Sequence, residues 1–373
     1  MLKEFLNNWL FNLILILLFL FLFFGGLYIV REILIPISFG ALFALLLLPV
    51  TRKLESWKIP KGLSVFFSIL IFLILVAGII FLLSSQIAGF AKDLPQIRTN
   101  IQLKIGEVQQ FIHEHTGVAP ERQETIFQEK VSTFLQTSGM YLQRLFVTTT
   151  GTIATVGIII IYVFFFLFYR QRFFNFILKI TPKEHEEKTR NMLAQISNVT
   201  QSYLTGVFTV VAILSVMNVT GLLIVGVKHA VFFGVLAGML NVIPYVGTFV
   251  GGSIPTIYAL VTHDSFGFAL ATASVFIIAQ SIEGNFLTPT IVGSKVKVNP
   301  LATILALLTG GAIWGIAGMV LFIPFLGVTK IIFDNVETLK PYGYLIGEDE
   351  DGENKPPSVL KRVGRYIKNI FQK

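Results

Sequence analysis

Cysteine is absent from all 373 residues, which removes disulfides, thiol nucleophiles and thiolate metal sites from consideration. Charge is nearly as scarce. Only 13% of residues are charged, against roughly 25% in soluble domains, while 54% are hydrophobic and the mean hydropathy is +0.75. A soluble fold could not hide that much apolar surface. Catalytic signatures are missing too: there is no HExxH, no GxSxG, no P-loop and no nucleotide-binding glycine pattern. No enzyme activity, cofactor or resident metal is therefore expected, and without a nucleotide domain an ATP-driven pump is not expected either. The net charge of +8 falls in short clusters beside apolar runs. That is the pattern of membrane flanks rather than of a nucleic-acid groove.

What the chain has is apolar runs long enough to span a bilayer, which takes about 20 residues. They fall at 9–30, 33–50, 62–83, 149–169 and 205–227. The first is longer than the roughly 7–15 residues of a signal-peptide core, so it is expected to stay as a transmembrane helix. Loop 51–61 carries Arg52, Lys53, Lys58 and Lys61 against Glu55 alone, and loop 170–190 is also rich in Lys and Arg. Positive loops face the cytoplasm, so both termini are expected inside and 84–148 outside. Within that outer segment Ile97, Ile101, Ile105, Val108 and Ile112 recur at helical spacing, and Phe127, Val131, Phe134, Ser138, Leu142 and Leu145 keep a similar register with one polar lapse at Ser138. Two amphipathic helices are expected, with apolar faces packed on neighbouring subunits. His113 and His115 diverge at i, i+2 and read as solvated surface. A further amphipathic helix is expected along the membrane at 191–204. The tail turns from acidic (348–353) to basic (355–373), which suits either an interfacial helix on anionic lipid or a solubilising tail.

The most informative stretch is 234–293. Segment 231–261 is interrupted by Pro244, Gly247, Gly251, Gly252 and Pro255, leaving halves of roughly 13 and 10 residues, each too short to cross about 30 Å. Segment 301–332 repeats the layout with Gly310, Gly311, Gly315, Gly318 and Pro324. Each break contains a GxxxG, a spacing that lets helices approach closely. Paired interrupted segments are the best sequence pointer to a transporter's binding site. Between them lies Gln280-Ser281-Ile282-Glu283-Gly284-Asn285-Phe286-Leu287-Thr288-Pro289. An ionisable residue at membrane depth is a functional-site hypothesis by default: Glu283 can bind a cation or cycle a proton, and Gln280, Asn285 and Asn241 can hydrogen-bond a polar solute. Its bland reading is a helix cap, or a partner of Lys295 or Lys297. His263 and Asp264 read as interfacial turn residues.

The motifs Asn-Val-Ile-Pro-Tyr-Val-Gly at 241–247, Gly-Gly-Ser-Ile-Pro at 251–255, those at 280–284 and 285–289, and the glycines of 310–318 resemble the autoinducer-2 exporter family of permeases. Pro36, Pro49-Val-Thr-Arg and Leu204-Thr-Gly fit as well. The resemblance implies a bacterial inner-membrane transporter that moves its broken hairpins as an elevator and assembles as a homo-oligomer, a pentamer in characterised relatives. It also brings Pro244 and Tyr245 into the solute site, beside Glu283, Gln280, Asn285 and Asn241, and casts Gly247, Gly251, Gly252, Pro289, Gly310, Gly311 and Gly315 as hinge positions. Cargoes in that family include autoinducer-2, the quorum-sensing signal, for some members and Na⁺/H⁺ exchange for others. Ser281 stands where many relatives repeat Gln.

The expected fold is all-α and polytopic, with two re-entrant or broken hairpins and an extracytoplasmic helical insert. Its parts are three transmembrane helices (1–84), the outer insert (85–148), a fourth span with the amphipathic helix (149–204), the transport core (205–340) and a cytoplasmic tail (341–373). The leading functional expectation is an H⁺- or Na⁺-coupled secondary exporter of a small polar solute, in contact with membrane lipids. The alternatives are a Na⁺/H⁺ antiporter without organic cargo and a non-transporting oligomeric scaffold.

Overall fold

The structure, a computed structural model, describes residues 9–116, 150–243, 246–263, 265–292 and 297–348. The described part is helical: α1 (Trp9–Ile29), α2 (Arg31–Ser56), α3 (Lys61–Thr116), α4 (Thr150–Ile180), α5 (Glu186–Val225), α6 (Ala230–Leu240), α7 (Val246–Thr262), α8 (Phe266–Ile282), a π-helix (Glu283–Val292), α9 (Pro300–Asn335) and α10 (Lys340–Ile346). Seven helical segments are long and apolar enough to cross a membrane. The chain is therefore an all-helical, multi-pass membrane protein. Leu13 to Phe24 of α1 are exposed around the whole helix, as befits a helix facing lipid or a partner.

Two groups of helices meet on α5. In the first, Ala44, Leu47 and Leu48 of α2, Val65 and Ile69 of α3, and Val163 and Leu167 of α4 form one buried cluster. Thr51, Ser64 and Ser68 are buried in the α2–α3 contact, and Thr51 Oγ1 lies 2.9 Å from Ser68 Oγ; such hydroxyls pin helices together where apolar burial gives no drive. In the second group, α6, α7 and α8 pack on or near the distal half of α5. Gly234 brings α6 onto α5 so closely that a Cβ there would come within 2.5 Å of the Val219 amide nitrogen. α5 ends at Gly226, which adopts φ 87° and closes the helix with its N–H on Leu222 O, a left-handed C-terminal cap.

Several expected boundaries shift. α3 runs unbroken for 56 residues, about 84 Å at 1.5 Å per residue, so the first outer helix is a continuation of the third span. Its Ile97 is buried, and Ile101 packs, against Phe232, Phe233 and Tyr258 of the same chain; at these two positions the apolar face is covered within the subunit rather than by a neighbour. The second outer helix, 127–145, lies outside the described residues, as does the tail from 349 onward. The amphipathic stretch 191–204 is no separate helix but part of the 40-residue α5. Nothing between 191 and 205 breaks a helix, so the backbone ladder simply continues into the span. Residues 341–348 are not free tail either. Asn299 caps α9 through Ala302 N (2.8 Å) and donates its Nδ2 to Leu345 O (2.8 Å), tying α10 to the start of α9.

Both interrupted segments differ in detail from the expected layout. The first break is confined to 241–245, giving arms of 11 and 17 residues. α6 stops at Leu240, ahead of Pro244 in the sequence, and the residue preceding a proline is disfavoured in the helical region. Gly251, Gly252 and Pro255 lie inside α7 instead. The second segment doubles back at one residue, Gly315, with φ 61° and ψ −140°. A Cβ on Gly310 would meet Gly318 O at 2.5 Å, whereas eight residues of straight helix rise about 12 Å. The arm 300–314 is thus roughly 22 Å long, short of the ~30 Å hydrocarbon core.

Candidate ion and solute site

Glu283 stands at the junction where α8 gives way to the π-helix. Pro289 lies inside this segment, where it cannot donate to the carbonyl four residues back and its ring would clash in a regular α-turn. Widening the turns accommodates it, and such π segments recur at functional sites. The half-buried Glu283 carboxylate accepts from Gln280 Nε2 (2.7 Å) on one oxygen and from the Thr288 hydroxyl on the other. Both donors are neutral. The acid therefore has hydrogen bonds but no ion-pair partner among the described residues.

Gln280 also lines a small cavity of ≈ 20 Å³ at the α6–α7 break, space for about one water molecule. Its polar wall comprises Asn218 of α5, Asn241 at the end of α6, Thr248 of α7 and Gln280 of α8; Gly247 and Gly252 contribute backbone. Thr248 Oγ1 donates to Asn241 Oδ1 (3.3 Å). Asn218 is 5% exposed, and its Oδ1 has no hydrogen-bond partner within the described protein. Buried polar atoms are nearly always paired, and this unpaired oxygen, itself closed to solvent, belongs to a residue that lines the cavity.

Of the residues singled out from sequence, the structure gathers Glu283, Gln280, Asn241, Gly247 and Gly252 in this neighbourhood. Gly251 sits behind, against Ala237, on the α6–α7 contact. Asn285 points elsewhere: it is exposed, and its Nδ2 donates to Ser281 O (2.8 Å). Pro289 is within the π-helix. Pro244, Tyr245, Asp264 and Lys295 lie outside the described residues. Gly310, Gly311 and Gly315 belong to α9, which packs on α5, α2, α1 and α10 but not on α6, α7 or α8. The two interrupted segments thus occupy different faces of α5 within one subunit.

Two features were missed from sequence. One is Asn218, a lone amide in the apolar run of α5; its isolation was a usable signal. The other lies on the α3 extension, where Asp93 Oδ2 accepts from Lys228 Nζ (2.6 Å) and lies 2.8 Å from His229 Nε2. The lysine and histidine beside it hold the Asp93 carboxyl below the usual carboxylate range. Phe90 and Tyr258 flank the His229 ring. No local pattern could have joined these residues, because the contact spans 136 positions.

Comparison with known proteins identifies the family. The family model described as AI-2E family transporter matches residues 17–338. The chain is 28% identical over 303 residues to "Putative transport protein YueF" of Bacillus subtilis (strain 168), covering 78% of this chain and 80% of that protein. It is 27% identical over 317 residues to "Putative transport protein YrrI" of the same organism, covering 82% and 86%. With "AI-2 transport protein TqsA" of Escherichia coli (strain K12) the identity is 23% over 317 residues, covering 83% and 88%. These relatives are named as transport proteins, not enzymes. The chain belongs to the AI-2E family of transporters.

Proposed function

We propose that this chain is a secondary active transporter of a bacterial cytoplasmic membrane that exports a small polar solute, such as autoinducer-2, driven by an H⁺ or Na⁺ gradient. Glu283 carries the coupling charge. The observation that carries this reading is a carboxylate held only by neutral donors, one of which lines a polar cavity at a helix break. Interrupted helices at membrane depth survive where protein or a watery cavity covers them, and they frame the sites of many transporters. The naming of TqsA as an AI-2 transport protein supports the choice of solute.

In this reading the block α6–α8 with the π-helix slides relative to α1–α4, and α9 forms a second re-entrant hairpin. The subunits assemble as a homo-oligomer, a pentamer, with both termini cytoplasmic and the α3 extension outside. One observation favours a second reading, Na⁺/H⁺ exchange without organic cargo: the cavity has room for an ion and not for a sugar-sized solute. Purified protein in proteoliposomes, given a pH or Na⁺ gradient and a solute panel that includes autoinducer-2, separates the two. Solute flux that collapses with the gradient supports the exporter. Ion exchange with no solute flux supports the antiporter, and neither activity contradicts both.

A further inference from the structure

The cavity at the α6–α7 break has features that an ordinary packing defect lacks. Asn218 lines it from the last third of α5, on the same helix face as the buried Leu214 and Leu222 one turn to either side. Asn218 is 5% exposed, and its Oδ1 has no partner within the described protein. Leaving such an acceptor unpaired is unfavourable, so the site favours a ligand that brings positive charge or a donor. Opposite it, Asn241 presents its own Oδ1, already accepting from Thr248. Gln280 commits its Nε2 to Glu283, which leaves its carbonyl oxygen as its remaining polar atom and places a carboxylate one residue's reach from the cavity.

The ends of α6 and α7 meet here with opposed dipole charges, so helix dipoles do not decide the sign. The side chains do. The wall offers amide and hydroxyl oxygens, the formal charge beside it is the Glu283 carboxylate, and among the described residues no Lys or Arg lines the space. Neutral oxygens suit a monovalent ion. A divalent ion would call for several carboxylates, and among the described residues no group of three His, Cys, Asp or Glu could hold a metal. The volume, ≈ 20 Å³, suits an ion stripped of its water shell.

We propose that this cavity binds one dehydrated monovalent cation of Na⁺ size, with Asn218 Oδ1 as a direct ligand, Asn241, Thr248 and Gln280 completing the oxygen shell, and Glu283 balancing the charge through Gln280. The inference deepens the coupled-transport reading and rests on it for what the ion does. Binding itself is separable from transport, which makes the two distinguishable.

The test is equilibrium binding of radioactive Na⁺ to the purified full-length chain, with K⁺ as competitor, beside thermal unfolding in NaCl and in KCl. Wild type is expected to bind Na⁺ saturably, to prefer it over K⁺ at least tenfold, and to unfold at a higher temperature in NaCl. Asn218→Leu keeps the volume without a polar atom and should weaken Na⁺ binding at least tenfold. Asn218→Asp is closer in shape and guards against a folding failure of the leucine variant; it should bind Na⁺ more tightly at alkaline pH and lose that gain as protons compete. Absence of saturable Na⁺ binding in wild type, equal effects of Na⁺ and K⁺, or unchanged affinity in both variants would each overturn the proposal. Na⁺ binding that needs Asn218 but drives no flux in proteoliposomes leaves the cation site standing and removes the transport reading. Gradient-driven flux without Na⁺ binding does the reverse.

Discussion

Glu283 holds two neutral donors at once, and that arrangement makes its charge available to a ligand or a proton. A lysine or arginine partner would have fixed it. A hydrogen bond to a charged group contributes about 1.5–3 kcal/mol, so the Thr288 hydroxyl is a substantial part of what positions the carboxylate. Thr288→Val preserves shape and removes that donor; gradient-driven flux should fall roughly tenfold with the oligomer intact, read from initial rates in proteoliposomes. An unchanged rate would mean that the threonine only satisfies its own hydroxyl. Much of this site was legible from residue types: a lone carboxylate among amides inside apolar sequence stands out, and Asn241 stands out beside Pro244. Asn218 is marked in sequence only by its isolation in the apolar run of α5; what it faces depends on which side of α5 the α6–α7 pair covers, and no local pattern encodes that.

Glycine decides the geometry of the second interrupted segment, by two different means. Gly315 sits where an L-residue is strained whatever the space around it, at φ 61° and with no atom within 4 Å of where a Cβ would stand. Gly315→Ala should therefore cost about 1–3 kcal/mol of backbone strain, seen as a lower unfolding temperature. Gly310→Ala acts through a clash with the Gly318 backbone instead and should also disturb the contact that brings Trp314 Nε1 to Leu27 O at 3.0 Å. At the far end of α6, the Asp93 ion pairs fasten that helix to the α3 extension. The Asp93 pKa is depressed in the fold by Lys228 first and His229 second. The stability they contribute is therefore present above the unfolded carboxylate value of about 4 and lost as pH falls through the lower folded value. Asp93→Asn should unfold at a lower temperature than wild type at pH 7, and the difference should shrink below about pH 4; a gap independent of pH would contradict this. The helices themselves were largely legible from hydropathy, but their ends were not. Hydropathy changes where the surroundings change, whereas the backbone ladder can continue across that change. That is why α3 and α5 run past the expected boundaries, and α7 continues through Gly251, Gly252 and Pro255 because a glycine or proline weakens a helix without necessarily ending it.

Across the molecule α5 is the shared axis: α2 and α4 pack on it from one group, α6, α8 and the π-helix from the other, and α9 lies on a third face. A division of that kind suits one group moving past another. The charge-based orientation puts Lys183 in the cytoplasm and Glu121 outside. Single cysteines at these positions, in a chain that has none, should react with an impermeant maleimide from opposite faces of sealed vesicles; labelling from the same face would invert or break the topology. The charge on Glu283 is the point on which the transport mechanism turns, and gradient-driven flux in proteoliposomes reads it without intermediaries. Glu283→Gln keeps shape and hydrogen-bonding capacity but removes the charge, so coupled flux should be lost while mass and fold stay those of wild type, and Glu283→Asp should retain part of it with a shifted pH optimum. Normal coupled transport by the glutamine variant from pH 6 to 9 would show that the carboxylate is a structural cap and that the driving ion is carried elsewhere.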